Sequence, residues 1–429
     1  MMPHDPLSSR LFWLLAASLL VSGLGFKPAL ARAQTSHPDR GAKTWIDKGG
    51  GLNVLADGRA MPHDRPHLGV GLIPTGRYFE WKVRLSDEDA VNYFLGFTPQ
   101  LQLGSRSGKF HVNSELDFIG NWTPFDSRKM TGELQWWFRW NQTYTTLNTE
   151  QFADSQFLTI KPNDGDTGTR KSNLAAALLS WGHYFVGRVG YRIGQLNAQT
   201  LYGVNEFLSN DRTDFMALPL AGPFGTAFME KPIGLGLQIG AWNDLVYGTA
   251  GLQEATANQE YPDFSSLARW EMAYFAEFGL TPGFGTALEG AYRVTYSYIG
   301  RTGAGPSEGP GHSVVVTASQ RIHDRWGLFG RYTQAFRRLP QDDFRLAVVA
   351  GFVRLGPFGF SSDRVGLAYI FDKPSDGALR NEHGIEVYWR FQLTQLFSVT
   401  PDLQVYFTPS KAMDDDFSVI GGLRLQLAI

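Results

Sequence analysis

Segments in which large apolar side chains alternate with polar or charged ones recur along this chain. Successive side chains of a β-strand point to opposite faces of the sheet, so a period of two predicts strands with one apolar and one polar face. Five segments keep this order: residues 78–85, 110–118, 133–141, 185–193 and 288–298. Clusters of Gly, Pro, Asp and Asn separate the alternating segments, as turns require. The chain is therefore predicted to be all-β.

The apolar faces are bulky, and this favours a membrane barrel over a soluble sandwich. The chain has 31 Phe, 16 Tyr and 12 Trp among 429 residues, which would overfill the core of one sandwich. A closed sheet accommodates them, because its outer face meets lipid and its polar inner face meets water. We expect a transmembrane antiparallel β-barrel of about 16 strands, at about 25 residues per strand with its connections.

The N-terminus has the order of a secretory signal. Arg10 precedes an apolar run from Leu11 to Phe26, and the small-residue site Ala31-Arg32-Ala33 follows. This order predicts a signal peptide over residues 1–33, since the run is short of the roughly 20 residues of a membrane-spanning helix. An exported barrel belongs in a bacterial outer membrane. Residues 34–75 are predicted to form an N-terminal periplasmic or plug-like segment, or a first strand, and residues 76–429 the barrel.

Composition and motifs exclude several other classes. Lys and Arg number 39 against 41 Asp and Glu with no basic run, which argues against a nucleic-acid partner. The absence of Cys removes disulfides and thiolate zinc sites. Asp164 and Asp166 resemble part of a calcium loop, but the closing Glu is missing, so no metal or cofactor is predicted. His111 and Asn113 share one strand face while Ser114 faces the other way, so we expect no hydrolase and no enzyme.

The C-terminus supports the prediction of a barrel. Its apolar residues from Phe417 to Ile429 share one face, so the strand runs to the end of the chain with this face outward. Further stretches carry a resemblance to a known family: Arg188-Val189-Gly190, Asn205-Glu206-Phe207, Asn210-Asp211, Phe215, Leu328–Tyr332, Asp363–Leu367, Glu386, Tyr388, Pro401–Tyr406, Pro409 and Gly422–Leu425. In these stretches the chain resembles the OprB family of carbohydrate-selective porins, over about residues 180–429.

The resemblance implies passive diffusion of glucose-like mono- or oligosaccharides through a constriction of charged and aromatic residues. A porin for other small solutes, such as organic acids, and a closed structural or polysaccharide-export barrel remain as alternatives. Sugar hydroxyls need both donors and acceptors, and aromatic rings can stack on pyranose faces. The polar strand faces supply both. Our candidates for pore-lining, substrate-binding residues are Glu80, Lys82, Arg84, Glu115, Asp117, Glu133, Trp137, Arg139, Arg188, Arg192, Glu289 and Arg293.

Each of these candidates has an alternative role, since charged side chains of the wall can also pair with one another and hold the barrel together. The expected partners of the chain are outer-membrane lipid and lipopolysaccharide on its outer face and small sugars inside. The outward aromatics also allow a homo-oligomer, because contacts between subunits would use the same apolar surface as lipid.

Overall fold

The computed structural model describes residues 76–429, except for residues 128, 164, 166–170, 186–188, 209–211, 223–232, 243–244, 256–263, 284–287, 301–309, 337–343 and 413–416. The predicted signal peptide and the segment 34–75 therefore lie outside the described residues. So do Arg188, the Asp164 and Asp166 pair, and the two residues Asn210 and Asp211.

Sixteen strands make up most of the described chain. They are β1 Val91–Gly104, β2 Phe110–Asp126, β3 Met130–Thr143, β4 Ser172–Phe185, β5 Val189–Asn197, β6 Ile233–Trp242, β7 Val246–Glu254, β8 Met272–Leu280, β9 Gly290–Ile299, β10 Gly311–His323, β11 Trp326–Ala335, β12 Phe344–Leu355, β13 Arg364–Pro374, β14 Glu382–Gln392, β15 Phe397–Phe407 and β16 Phe417–Ala428. Each pairs with its neighbours in sequence, and β1 pairs with β16 to close the barrel. The predicted all-β barrel of about 16 strands is confirmed.

The last strand, β16, ends beside the first residues of β1 and pairs with them. The amide of Leu95 donates to the carbonyl of Ile429 across 2.9 Å, and the amide of Ile429 donates back to Leu95 across 2.8 Å. The pairing satisfies backbone groups that would otherwise be an open sheet edge in lipid. We call this end of the barrel the terminus end, and the opposite end the loop end.

The helices are separate from the strands of the wall, and none of those in the described ranges is long and apolar enough to cross a membrane. They are α1 Gly76–Asp89, α2 Thr149–Ser155, α3 Ala198–Leu201, α4 Leu218–Ala221, α5 Ser265–Ala268 and a 3-10 turn at Pro357–Gly359. The β3–β4 connection contains α2, and the β5–β6 connection contains α3 and α4. Both connections leave the wall at the loop end.

The predicted face assignments hold on the strands that they concern. On β2, Glu115 and Asp117 are fully buried on the lumen side, whereas Phe110 is 54% exposed on the outside. On β3, Glu133, Trp137 and Arg139 point inward. The same alternation brings Arg192 on β5 and Arg293 on β9 inward, and leaves outward aromatics such as Tyr292 exposed. The pattern is that of a barrel with an apolar outer surface.

The segment Tyr78–Leu85 is a helix, so the prediction of a strand there is wrong. It forms part of α1, whose residues pack on the outer face of β1 through Tyr78 and Tyr93. Glu80, Lys82 and Arg84 consequently lie outside the barrel wall and not on a lumen-facing strand. Alternation over eight residues did not decide the structure, because Glu, Lys, Arg and Leu are good helix formers and no partner strand was available to pair with this segment.

The segment 185–193 holds the end of one strand and the start of the next, and is not one strand. Phe185 ends β4 and Val189 begins β5. The two ends keep the same outward phase, as Phe185 is 44% and Val189 53% exposed. A boundary between two strands that preserves the phase of alternation cannot be detected from a pattern of period two. Similarly, β9 begins at Gly290, so Glu289 precedes the strand.

Candidate functional site

The β3–β4 and β5–β6 connections fold into the barrel and fill part of its lumen. Phe152 of the first and Phe207, Phe215 and Leu220 of the second belong to one buried cluster with inward wall residues such as Phe329. The ring of Phe215 lies 4.7 Å from that of Tyr388, with the planes at 83°. Apolar anchors of this kind hold a long connection inside a water-filled barrel, because their release would expose them to water.

The β3–β4 connection is fastened by a carboxylate on β14. Glu382 accepts hydrogen bonds from the backbone amides of Thr159 at 3.2 Å and Ile160 at 3.1 Å, and from the amide of Ser410 at 3.0 Å. Gln102 on β1, three strands along the wall from β14, donates to the carbonyl of Pro162 across 2.8 Å. One stretch of the wall, from β14 to β1, therefore holds this connection.

The middle of the β5–β6 connection is fastened by β13, β14 and β16. Glu386 on β14 accepts from the amide of Ala217 at 3.0 Å and from the amide of Met216. Arg364 on β13 donates to the carboxylate of Asp214 at 3.1 Å, and Arg424 on β16 donates to the carbonyl of Asp214. Backbone amides and guanidinium groups thus satisfy charges that would be costly to leave unpaired inside the barrel.

The beginning of the same connection is fastened by β7, β8 and β9. Glu277 accepts from the amide of Gly203 at 2.6 Å and from Tyr247 Oη at 2.6 Å. Arg293, one of the predicted pore-lining residues, donates to Tyr247 Oη at 2.7 Å and to the carbonyl of Val204. Since the connection reaches β8 and β9 at one point and β13, β14 and β16 at another, it crosses the lumen.

Where the connection crosses, it meets β2 and β3 and completes a charged and aromatic cluster. We call Glu115, Asp117, Trp137, Arg139 and Arg212 the Asp117 cluster. Asp117 accepts from Arg139 Nε at 2.9 Å, from Trp137 Nε1 at 2.7 Å and from Arg212 Nη1 at 3.0 Å. Arg139 Nη2 also lies 3.5 Å from Glu115 Oε2. The three donors converge on one carboxylate.

The ring of Trp137 forms the aromatic part of the cluster. The guanidinium carbon of Arg139 lies 5.0 Å from the ring centroid, and that of Arg212 lies 6.0 Å from it. Both distances are within the range of cation–π attraction. Two arginines balance two carboxylates, so the formal charge of the cluster is zero. Trp137 and Arg139 are each 7% exposed, which indicates a closely packed site.

Four of the predicted pore-lining residues are therefore brought together: Glu115, Asp117, Trp137 and Arg139. Four others face the lumen or its rim elsewhere. Glu133 is hydrogen-bonded by Gln135, Arg192 donates to Tyr184 Oη at 2.9 Å, Arg293 holds the β5–β6 connection, and Glu289 precedes β9. Glu80, Lys82 and Arg84 lie on α1 outside the wall.

Alternation did not reveal the residues that position this site. Arg212 and Asp214 lie in a connection with no period, and their partners on β2 and β14 lie 95 and 174 residues away in sequence. Glu386 and Tyr388 were named only as part of the family resemblance. Within the described ranges, no group of three or more His, Asp or Glu side chains could hold a metal ion.

The comparisons with known proteins concern the family and the fold. The sequence model of one family, described as carbohydrate-selective porin, OprB family, matches residues 145–428. The chain belongs to the OprB family. The match begins 35 residues before the start of the resemblance at residue 180, and so takes in the β3–β4 connection. No curated protein matches the sequence.

Two solved OprB structures share the fold. The high-pH structure of Pseudomonas putida OprB is 14% identical, covers 85% of this chain and 99% of that chain, and has a TM-score of 0.66. The low-pH structure of the same protein is 15% identical, covers 83% and 98%, and has a TM-score of 0.51. At these identities the likeness concerns the fold.

Membership of the OprB family makes the chain an outer-membrane porin for carbohydrates. This confirms the function that the resemblance implied. The OprB family and its barrel fold are those of channels, and they place the protein in a bacterial outer membrane.

Proposed function

We propose that glucose-like sugars cross the barrel beside the Asp117 cluster and exchange part of their hydration for contacts with its side chains. The observation that carries the proposal is the bond from Arg212 to Asp117, because it brings the crossing connection against the wall beside Trp137 and Arg139. A site of this composition supplies donors, acceptors and a ring face within reach of one pyranose.

The charge balance of the cluster favours neutral solutes. Arg139 and Arg212 are paired with Glu115 and Asp117, so a passing anion or cation meets no uncompensated charge among these four groups. A porin for organic acids would gain from an excess of arginine at this point. Small neutral sugars are therefore the preferred solutes in this proposal.

The experiment is the ion current through the purified protein in a planar bilayer, with glucose, maltose and a small organic acid added in turn. Steps of current that glucose or maltose reduces are the expected result. Block by the acid alone would overturn the sugar preference, and a folded protein that carries no current would overturn passage beside this cluster.

Further parts of the picture stay predictions. They are cleavage after residue 33, a periplasmic or plug-like role for residues 34–75, contact with lipid and lipopolysaccharide, and a homo-oligomer. The outward aromatics of β1 to β3 support the lipid contact, since aromatic girdles mark the interfaces of outer-membrane barrels.

A further inference from the structure

Helix α1 docks on the outside of the barrel beside the first residues of β1. Tyr78 Oη and Tyr93 Oη lie 3.1 Å apart, and Ser86 Oγ donates to Asn92 Oδ1 across 2.8 Å. The ammonium of Lys82 lies 4.9 Å from the centroid of the Tyr93 ring. These contacts fix one face of α1, made of Tyr78, Lys82 and Ser86, against the barrel.

Tyr93 belongs to the lipid-facing side of the wall. Its ring lies 6.4 Å from Phe118 on β2, and Phe118 lies 5.9 Å from Trp136 on β3. All three rings are on the outward phase of their strands. On the helix side, Trp81 lies 6.0 Å from Tyr93, so a continuous row of aromatic rings runs from the helix onto the barrel.

The described part of the chain covers Trp81 only in part, as 44% of it is exposed. Arg84 and Glu88 follow Trp81 by three and seven residues and are exposed on the same flank of the helix. A large ring with charged neighbours on one flank is the composition of a helix that lies in a membrane interface, where the ring enters the headgroup region and charges stay at its surface.

We propose that α1 lies in the bilayer interface at the terminus end and that Trp81 extends the aromatic girdle of the barrel into the phospholipid headgroups. Short connections mark the periplasmic side of outer-membrane barrels, and at the terminus end β10 and β11 are joined by Asp324 and Arg325 alone. The partner is therefore the phospholipid surface of the periplasmic leaflet. The helix anchors the start of β1, where the barrel seam closes.

The chain has no Cys, so single cysteines report cleanly on depth. Spin labels on Trp81→Cys and Asp87→Cys, in the mature chain reconstituted in phospholipid bilayers, are compared for collision with oxygen and with a water-soluble nickel complex. Asp87 is exposed on the side of α1 away from the barrel contacts. The oxygen-to-nickel ratio at position 81 should exceed that at position 87 several-fold. Leu101→Cys, outward on β1, is the lipid control, and Ser107→Cys, in the β1–β2 turn, is the water control.

A second measurement covers the case in which loss of Trp81 detaches the helix. The tryptophan fluorescence of the unlabelled protein and of Trp81→Phe is compared in bilayers with bromine atoms high on the lipid chains. The emission that Trp81 contributes, taken as the difference between the two proteins, should be quenched by these lipids. Equal ratios at positions 81 and 107, or a difference emission that brominated lipid leaves unchanged, would overturn the proposal. Sugar block of the current should be unaltered in each variant, so failure here is distinct from failure of the proposed sugar path.

Discussion

Asp214 Oδ1 in the β5–β6 connection accepts a hydrogen bond from Tyr388 Oη on β14 across 3.1 Å. The same oxygen accepts from Arg364 Nη1 on β13 at 3.1 Å, while Arg424 on β16 donates to the carbonyl of Asp214. Three wall strands thus meet at one residue of the connection that crosses the lumen. Asp214 is therefore the point at which the position of this connection, and with it Arg212, is set.

Replacing Asp214 by Ala should loosen the crossing connection. Arg364 and Tyr388 would lose their shared acceptor, at a cost of about 2 kcal/mol for buried donors left unpaired. We expect a larger and noisier single-channel current and a weaker block by glucose, measured in planar bilayers.

The matched control is Asp324→Ala, the same substitution at an exposed turn of the terminus end, where the side chain is 58% exposed. It should leave the current unchanged. A quiet current of normal size from Asp214→Ala would show that the connection is held by its apolar anchors alone.

Replacing Arg139 by Ala should weaken sugar block of the current about tenfold, which corresponds to the loss of one charge-assisted hydrogen bond to a solute. Arg84→Ala removes the same side chain from the outer helix α1 and should leave sugar block unchanged. Titration of the current with glucose measures both. Equal sugar block in the two variants would make Arg139 a wall residue.

The adjacent residues Trp136 and Trp137 should behave in opposite ways, because they point to opposite faces of β3. Trp136→Ala removes an outward ring, should destabilise the folded barrel by about 2 kcal/mol against urea in liposomes, and should spare sugar block. Trp137→Phe keeps a ring but loses the 2.7 Å bond to Asp117 and should weaken sugar block about fivefold. Loss of sugar block in Trp136→Ala would mean that the faces are inverted.

Docking of α1 should strengthen as the pH rises above about 8. Burial against the barrel lowers the pKa of Lys82 from its ordinary 10.5 to about 8, since the contact takes the ammonium out of water. Between these values the undocked helix binds a proton that the docked helix lacks, so rising pH favours docking. Burial also holds the pKa of Tyr78 well above its ordinary 10.0, so this phenol stays neutral while docked.

The mobility of a spin label at position 87 measures this docking from about pH 7 to about pH 9.5, below the range in which free tyrosine ionises. The label should become less mobile as the pH rises. Lys82→Met should remove the pH dependence and give the less mobile spectrum throughout. An identical pH response in Lys82→Met would assign the effect to another group.

Much of the fold could be predicted because the alternation of apolar and polar residues along a strand shows which side chains share a face. The alternation in β2 and β3 placed Glu115, Asp117, Trp137 and Arg139 on the lumen side, and the structure agrees. The same rule failed at α1, where an alternating segment has no neighbouring strand to pair with. Strand formation depends on a partner, which a local pattern cannot supply.

The candidate site could be predicted only in part. Its wall half lies on two adjacent strands and follows from their alternation, whereas its other half is Arg212 in a connection without a period. The ring of Phe215 reaches Tyr388 because the facing position on β13 is Gly366, where a Cβ would lie 2.8 Å from the Phe215 ring. Fits of this kind depend on atoms far apart in sequence.

The sequence by itself determined the class of fold, the approximate strand number and which side chains face lipid or lumen, because these depend on a period of two and on the bulk of the outward residues. Only the tertiary structure decided that α1 is a helix on the outer rim, that the β5–β6 connection crosses the lumen, and that Arg212 meets Asp117. The reason is physical. A connection takes its path from burial of residues such as Phe215 and from pairing of charges such as Asp214 with several distant strands at once, and these partners exist only when the barrel has closed.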